Sequence, residues 1–76
     1  YPLEIERVSM EHPGIKEAAV VSAKDKLRGE VPKAVIVARD GIKLSEKEVL
    51  KFWRKRLAPY KVPRIIQIRR SLPRVG

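Results

Sequence analysis

Apolar residues occur along this chain both as spaced sets and as unbroken runs, and the contrast predicts its elements. Leu3, Ile5 and Val8, with His12, recur at roughly helical spacing and predict a helix over residues 2–12. Pro2 suits its first turn, where the missing N–H leaves no bond unmade. Glu4 and Glu6 lie near the positive end of the helix dipole, and Pro13-Gly14 stops the segment. The run Ala18-Ala19-Val20-Val21 is apolar on both faces, which predicts a central, buried strand over 16–23. Residues 24–32 are polar, carry Gly29 and Pro32, and read as a loop. A second run, Ala34-Val35-Ile36-Val37-Ala38, predicts a buried strand over 33–39, closed by a turn at Asp40-Gly41.

Ser45 followed three residues later by Glu48 forms a capping box. It opens a helix over 46–57, with Val49, Leu50, Trp53 and Leu57 as the apolar stripe and Lys51, Arg54 and Lys55 facing away. Ala58-Pro59 ends it, and residues 64–69 read as a third strand in which Ile66 and Ile68 face the core. The order is α-β-β-α-β. The first two strands can pair antiparallel, and the second helix is long enough to cross between parallel second and third strands. The fold class is α+β: a small sandwich of a three-stranded sheet with two flanking helices.

Composition narrows the picture. At 76 residues the chain holds one small domain. It opens on Tyr1 rather than Met and reads as a piece of a longer protein. It has no Cys, so neither a disulfide framework nor a thiolate metal site is available, and a reducing cytoplasm is the compatible compartment. No apolar run approaches the roughly 18 residues of a membrane span. The net charge of +9 is unevenly placed: −2 over residues 1–23, +3 over 24–44 and +8 over 45–76. A field of that sign attracts phosphates, whether of nucleic acid, nucleotide, pyrophosphate or an anionic membrane.

The chain carries little chemistry of its own. His12 is the only His; beside Pro13 it reads as a cap on the helix C-terminus. Glu4 and Glu6 are two apart on a helix and do not face each other, so they form no acid/base pair and read as helix-start charges. No phosphate-loop, zinc-protease or EF-hand pattern occurs, and no metal ligands are assigned. Tyr60 and Trp53 could stack on bases, but Trp53 lies on the apolar stripe and belongs to the core.

Several phrases fit one family pattern in one order. Pro2-Leu3-Glu4-Ile5-Glu6 resembles P-x-E-I-E, and His12-Pro13-Gly14-Ile15-Lys16-Glu17-Ala18-Ala19-Val20-Val21 resembles H-P-x-V-x-E-A-A-V-V. Asp25 with Gly29-Glu30-Val31-Pro32-Lys33-Ala34 resembles D-x-x-x-G-E-x-P-x-A. Leu57-Ala58-Pro59-Tyr60-Lys61-Val62-Pro63-Arg64 resembles L-A-x-Y-K-V-P-R, and Leu72-Pro73-Arg74-Val75-Gly76 resembles the start of L-P-R-T-x-S-G-K, with Val75 in place of Thr. Together they resemble the C-terminal domain of the adenylate-forming superfamily: acyl- and aryl-CoA synthetases, luciferases and peptide-synthetase adenylation domains. Lys61, where peptide-synthetase domains more often have Met, makes the resemblance closest to acyl-CoA synthetases.

The resemblance implies that residues 1–76 are a mobile lid on a large N-terminal AMP-binding domain. The whole enzyme would use ATP and Mg²⁺ to convert a carboxylic acid to an acyl-adenylate, then rotate the lid so that coenzyme A displaces AMP. By the same resemblance the adenylation lysine is expected just after Gly76, so the fragment alone is expected to be inactive. The coenzyme A contacts are expected at Arg28, Gly29, Tyr60, Lys61, Val62 and Arg64. Coenzyme A carries a pyrophosphate and a 3′-phosphate, which suits Arg28, Lys61 and Arg64, and Gly29 permits close backbone approach. Pro32, Pro59 and Pro63 are expected to fix the loops. The alternative is a freestanding nucleic-acid-binding α+β domain, motivated by the charge. Against it, the sequence has no KH-type loop and no aromatic in any predicted strand.

Overall fold

The computed structural model describes residues 2–70; the expectations for residues 71–76 lie outside them. Helix α1 spans Pro2–Ser9, strand β1 Ile15–Asp25, strand β2 Gly29–Ala38, helix α2 Glu46–Arg56 and strand β3 Ile65–Arg69, with a 3₁₀ turn at Pro59–Lys61. The sheet order is β1-β2-β3. β1 pairs antiparallel with β2, and β2 pairs parallel with β3, so α2 lies within the crossover the sequence predicts. No helix among the described residues is long and apolar enough to cross a membrane.

β2 is the central strand, and Ala34, Val35, Ile36 and Val37 are all buried. Its continuous apolar run suits a central place between two neighbouring strands, with Ala34 and Ile36 turned to the helices. β1 differs from expectation: it is an edge strand, with Ala18, Ala19 and Val20 half-buried and Val21 exposed. Its small apolar residues suit the close approach of α1 rather than a central position. Glu6 of α1 accepts the Val20 backbone N–H through Oε2 at 2.9 Å, which occupies a donor that an edge strand would otherwise present for pairing.

The expected loop over 24–32 is mostly strand. β1 runs to Asp25 and β2 starts at Gly29, paired directly with it, leaving only residues 26–28 as the turn. Asp25 Oδ1 accepts from the backbone N–H of Leu27 at 2.8 Å and of Arg28 at 3.0 Å. Gly29 takes φ +79°, a conformation side chains oppose, and closes the hairpin. Pro32 is tolerated because the pairing of β2 with β3 begins only at Lys33. Polarity here marks a hairpin projecting into solvent rather than irregular chain. Gly41 of the predicted Asp40-Gly41 turn has φ +78°.

α1 is shorter than expected. After Ser9 the backbone tightens, with Glu11 N bonding Val8 O and His12 N bonding Ser9 O, both three residues back. His12 is therefore no cap on the helix carbonyls. Its Nδ1 accepts the Gly14 N–H at 2.9 Å, and its Nε2 lies 3.5 Å from Glu48 Oε2. The turn at Pro13-Gly14 leaves an amide that needs an acceptor, and the imidazole supplies it. α2 starts as predicted: Ser45 Oγ accepts the Glu48 N–H at 3.1 Å. The Glu48 carboxylate turns toward His12, so it joins the two helices.

Both helices lie on one face of the sheet. Ile5 of α1 and Val49, Trp53 and Leu57 from the α2 segment meet Ile15, Ala34 and Ile36, with Ile66 and Ile68 packed against them. Trp53 is fully buried, and its indole is a polar group that burial obliges to find a partner. Trp53 Nε1 donates to Ser9 Oγ at 2.8 Å, and Ser9 Oγ donates to the Ile5 carbonyl at 2.7 Å. Ser9 is also fully buried.

Ser9→Ala leaves the indole N–H buried and unpaired, and is expected to destabilise the domain by about 1–3 kcal/mol. Ser9→Ala combined with Trp53→Phe removes donor and acceptor together, so its cost falls below the sum of the single changes. Urea unfolding followed by far-ultraviolet circular dichroism measures both.

Candidate functional site

The hairpin turn and the segment after α2 converge at one end of the sheet. Asx bonding at Asp25 and the positive φ of Gly29 set where Arg28 leaves the hairpin. On the other side, Pro59 opens the 3₁₀ turn, closed by Lys61 N–H to Ala58 O at 2.9 Å and Val62 N–H to Pro59 O at 3.3 Å. Pro63 is buried and Val62 packs on the core, so the chain enters β3 from a fixed point.

Between them is a cleft of about 240 Å³ lined in part by Asp25, Arg28, Pro32, Tyr60, Val62 and Arg64. Four of the six residues expected to meet coenzyme A, namely Arg28, Tyr60, Val62 and Arg64, therefore share one surface although two separate segments supply them. Gly29 shapes the turn beside Arg28. Lys61 is turned elsewhere: its Nζ lies 2.8 Å from Glu4 Oε1 and 3.3 Å from Oε2.

The cleft is cationic with one internal carboxylate. The N–H groups of Leu27 and Arg28 hold Asp25 below the usual carboxylate range, and the guanidinium groups of Arg28 and Arg64 act in the same direction. Asp25 thus stays ionised as an acceptor for the turn while partly offsetting the two arginines. Sequence reasoning missed Asp25 as a lining residue; the Asp four residues before Gly29 was its signal. Pro32 was expected only to fix the loop, and it also walls the cleft.

A larger groove between α2 and β3, about 1030 Å³, shares Val62 and Arg64 with this cleft and is edged by Lys51 and Arg54. Trp53 is sealed beneath the helix and has no face for a base; Tyr60, 73 % exposed, is the aromatic surface available at the cleft. Among the described residues, no three His, Cys, Asp or Glu side chains are grouped to hold a metal ion. The arrangement can bind an anionic group against an aromatic ring. It holds no nucleophile with an adjacent base.

Comparison with known proteins shows the family of this chain. Residues 4–76 match the family described as the AMP-binding enzyme C-terminal domain. Over 76 residues the chain is 43% identical to a long-chain-fatty-acid–CoA ligase of Bacillus subtilis, covering all of this chain and 14% of that protein. Among solved structures, the fold matches a Mycobacterium tuberculosis fatty acyl CoA synthetase with TM-score 0.84 and 36% identity, covering 99% of this chain and 15% of that one. It also matches ATP-bound MatB of Rhodopseudomonas palustris with TM-score 0.85 and 35% identity, covering 99% and 15% respectively. The chain thus spans about one-seventh of the length of these relatives. A family match across nearly every residue, carried on the same α-β-β-α-β fold, makes this chain a member of the AMP-binding enzyme C-terminal domain family.

Proposed function

We propose that this domain is the mobile C-terminal lid of an ATP-dependent acid–CoA ligase, and that its cleft grips phosphate groups of coenzyme A during thioester formation. In the first half-reaction a carboxylate oxygen attacks the α-phosphorus of ATP, giving an acyl-adenylate and releasing pyrophosphate. In the second, the thiolate of coenzyme A attacks the acyl carbon and AMP leaves with the bonding electron pair. The carboxylic acid site and most of the ATP site lie on the large N-terminal domain. By the family resemblance, the Mg²⁺ belongs with the ATP phosphates there.

The observation that carries this reading is the convergence of Arg28, Tyr60, Val62 and Arg64 on one cleft. Exposed guanidinium groups form paired, charge-assisted hydrogen bonds to phosphate oxygens. An aromatic side chain beside them offers a stacking surface for an adenine ring. Gly29 keeps the turn free of a Cβ where a ligand would approach. The relatives named as CoA ligases support coenzyme A as the acceptor.

In the full-length enzyme, Arg28→Ala and Arg64→Ala are each expected to raise KM for coenzyme A by roughly tenfold, the scale of one charge-assisted hydrogen bond. Acid-dependent pyrophosphate release in the absence of coenzyme A changes much less. Equal losses in both half-reactions would refute the assignment. Asp25 separates charge from shape. Asp25→Asn keeps an Oδ1 acceptor for the turn and removes the offsetting charge, so KM for coenzyme A falls. Asp25→Ala releases the Leu27 and Arg28 amides, so KM rises and hydrogen exchange at both amides accelerates.

A further inference from the structure

We infer that Glu4 and Lys61 form a clasp that positions the ligand loop, so that Lys61 acts through Tyr60 and the phosphate contacts come from Arg28 and Arg64. This inference rests on the coenzyme A reading above.

Lys61 is flanked in sequence by Tyr60 and Val62, both of which line the cleft, yet its own amine meets Glu4 at the start of α1. Both carboxylate oxygens lie within reach, at 2.8 and 3.3 Å. The Lys61 side chain is only 22% exposed, so the protein covers most of it, unlike a typical surface lysine. From the position after Tyr60 in the 3₁₀ turn, the Lys61 side chain runs to Glu4 while its ammonium stays within reach of the Tyr60 ring.

The other end of the clasp is well anchored. Glu4 lies in the first turn of α1, where the helix dipole itself favours a carboxylate. The next residue, Ile5, is buried in the core and receives the Ser9 hydroxyl that also holds Trp53. The bonds from Lys61 N–H to Ala58 O and from Val62 N–H to Pro59 O lie within the turn and set its shape, not its attachment. Val62 and Pro63 attach it on one side, and Lys61 reaches α1 on the other.

The same ammonium links the clasp to the cleft. Lys61 Nζ lies 5.7 Å from the centroid of the Tyr60 ring, within range of a cation–π contact. Glu4 fixes Lys61, Lys61 faces the Tyr60 ring, and Tyr60 borders the space between Arg28 and Arg64. Glu4 is therefore a positioning residue for the cleft although it is 57 residues from its partner.

Steady-state kinetics of the full-length enzyme with coenzyme A tests this, because the two possible roles of Lys61 have opposite signs. If Lys61 positions Tyr60, Glu4→Gln loosens the loop and raises KM for coenzyme A by about threefold, the scale of a half-exposed ion pair. If Lys61 instead binds phosphate and Glu4 merely competes for it, Glu4→Gln lowers KM and the clasp is refuted; an unchanged KM refutes it too. Charge exchange is the second arm. Lys61→Glu alone raises KM, and adding Glu4→Lys recovers at least half of that loss if the pair is a clasp. A double variant no better than Lys61→Glu means that Lys61 touches the ligand itself. Arg28→Ala and Arg64→Ala, run alongside, separate the two readings. If they raise KM while Glu4→Gln does not, only the clasp fails; if neither moves it, the coenzyme A reading fails first.

Discussion

The position of one buried polar group governs much of this small domain. Trp53 fills the space between the two helices and the sheet, and its N–H can be satisfied only from α1. Ser9 Oγ accepts that N–H and its own O–H donates to the Ile5 carbonyl one turn back. The relay sets both the distance between the helices and their rotation, because an apolar contact alone would tolerate sliding while a hydrogen bond of 2.8 Å does not. What α1 does elsewhere then follows. Glu6 reaches the open edge of β1, and Glu4 reaches Lys61. A small core of few large side chains thereby reaches, through Glu4 and Val62, the segment that forms one edge of the cleft.

The sequence made some elements legible and concealed others for physical reasons. β2 is legible because an unbroken apolar run suits a strand flanked by strands on both sides, and Ser45 with Glu48 marks the start of α2. β1 was misplaced at the sheet centre because Ala18-Ala19-Val20-Val21 has the same pattern. Small residues under a closely packed helix and apolar residues between two strands look alike in one dimension. The polar segment 24–32 concealed a long hairpin, since a strand projecting beyond the core has no reason to alternate. Its two diagnostic residues, Asp25 and Gly29, were visible, but their joint meaning depends on the pairing register.

The polar pairings were the least legible part. His12 suggested a helix cap by position, but its role is decided by the Gly14 amide and by Glu48, which arrives from another helix. Ser9 has no local signature; its role comes from the Trp53 indole that donates to it from α2. The family phrases name Arg28, Tyr60, Val62 and Arg64, which line one cleft, and Lys61 with them, whose amine meets Glu4. A partner 57 residues away cannot be found by spacing.

The charge excess also changes meaning once it is placed in space. Several cations of the basic C-terminal part have carboxylate neighbours: Lys61 has Glu4, Arg56 has Glu11 at 3.7 Å, and Arg64 feels Asp25. Arg56 also stacks over Phe52 at 3.7 Å from the ring centroid, which places it in the packing as much as in the field. Concentrated positive charge remains along the cleft and the adjoining groove, where Arg28, Arg64, Lys51 and Arg54 outnumber the carboxylates beside them. Such a concentration destabilises a small domain by self-repulsion, and an anion that settles among these groups relieves it. Binding and stability are then linked by mass action: a ligand that prefers the assembled cleft stabilises the turn and hairpin that form it.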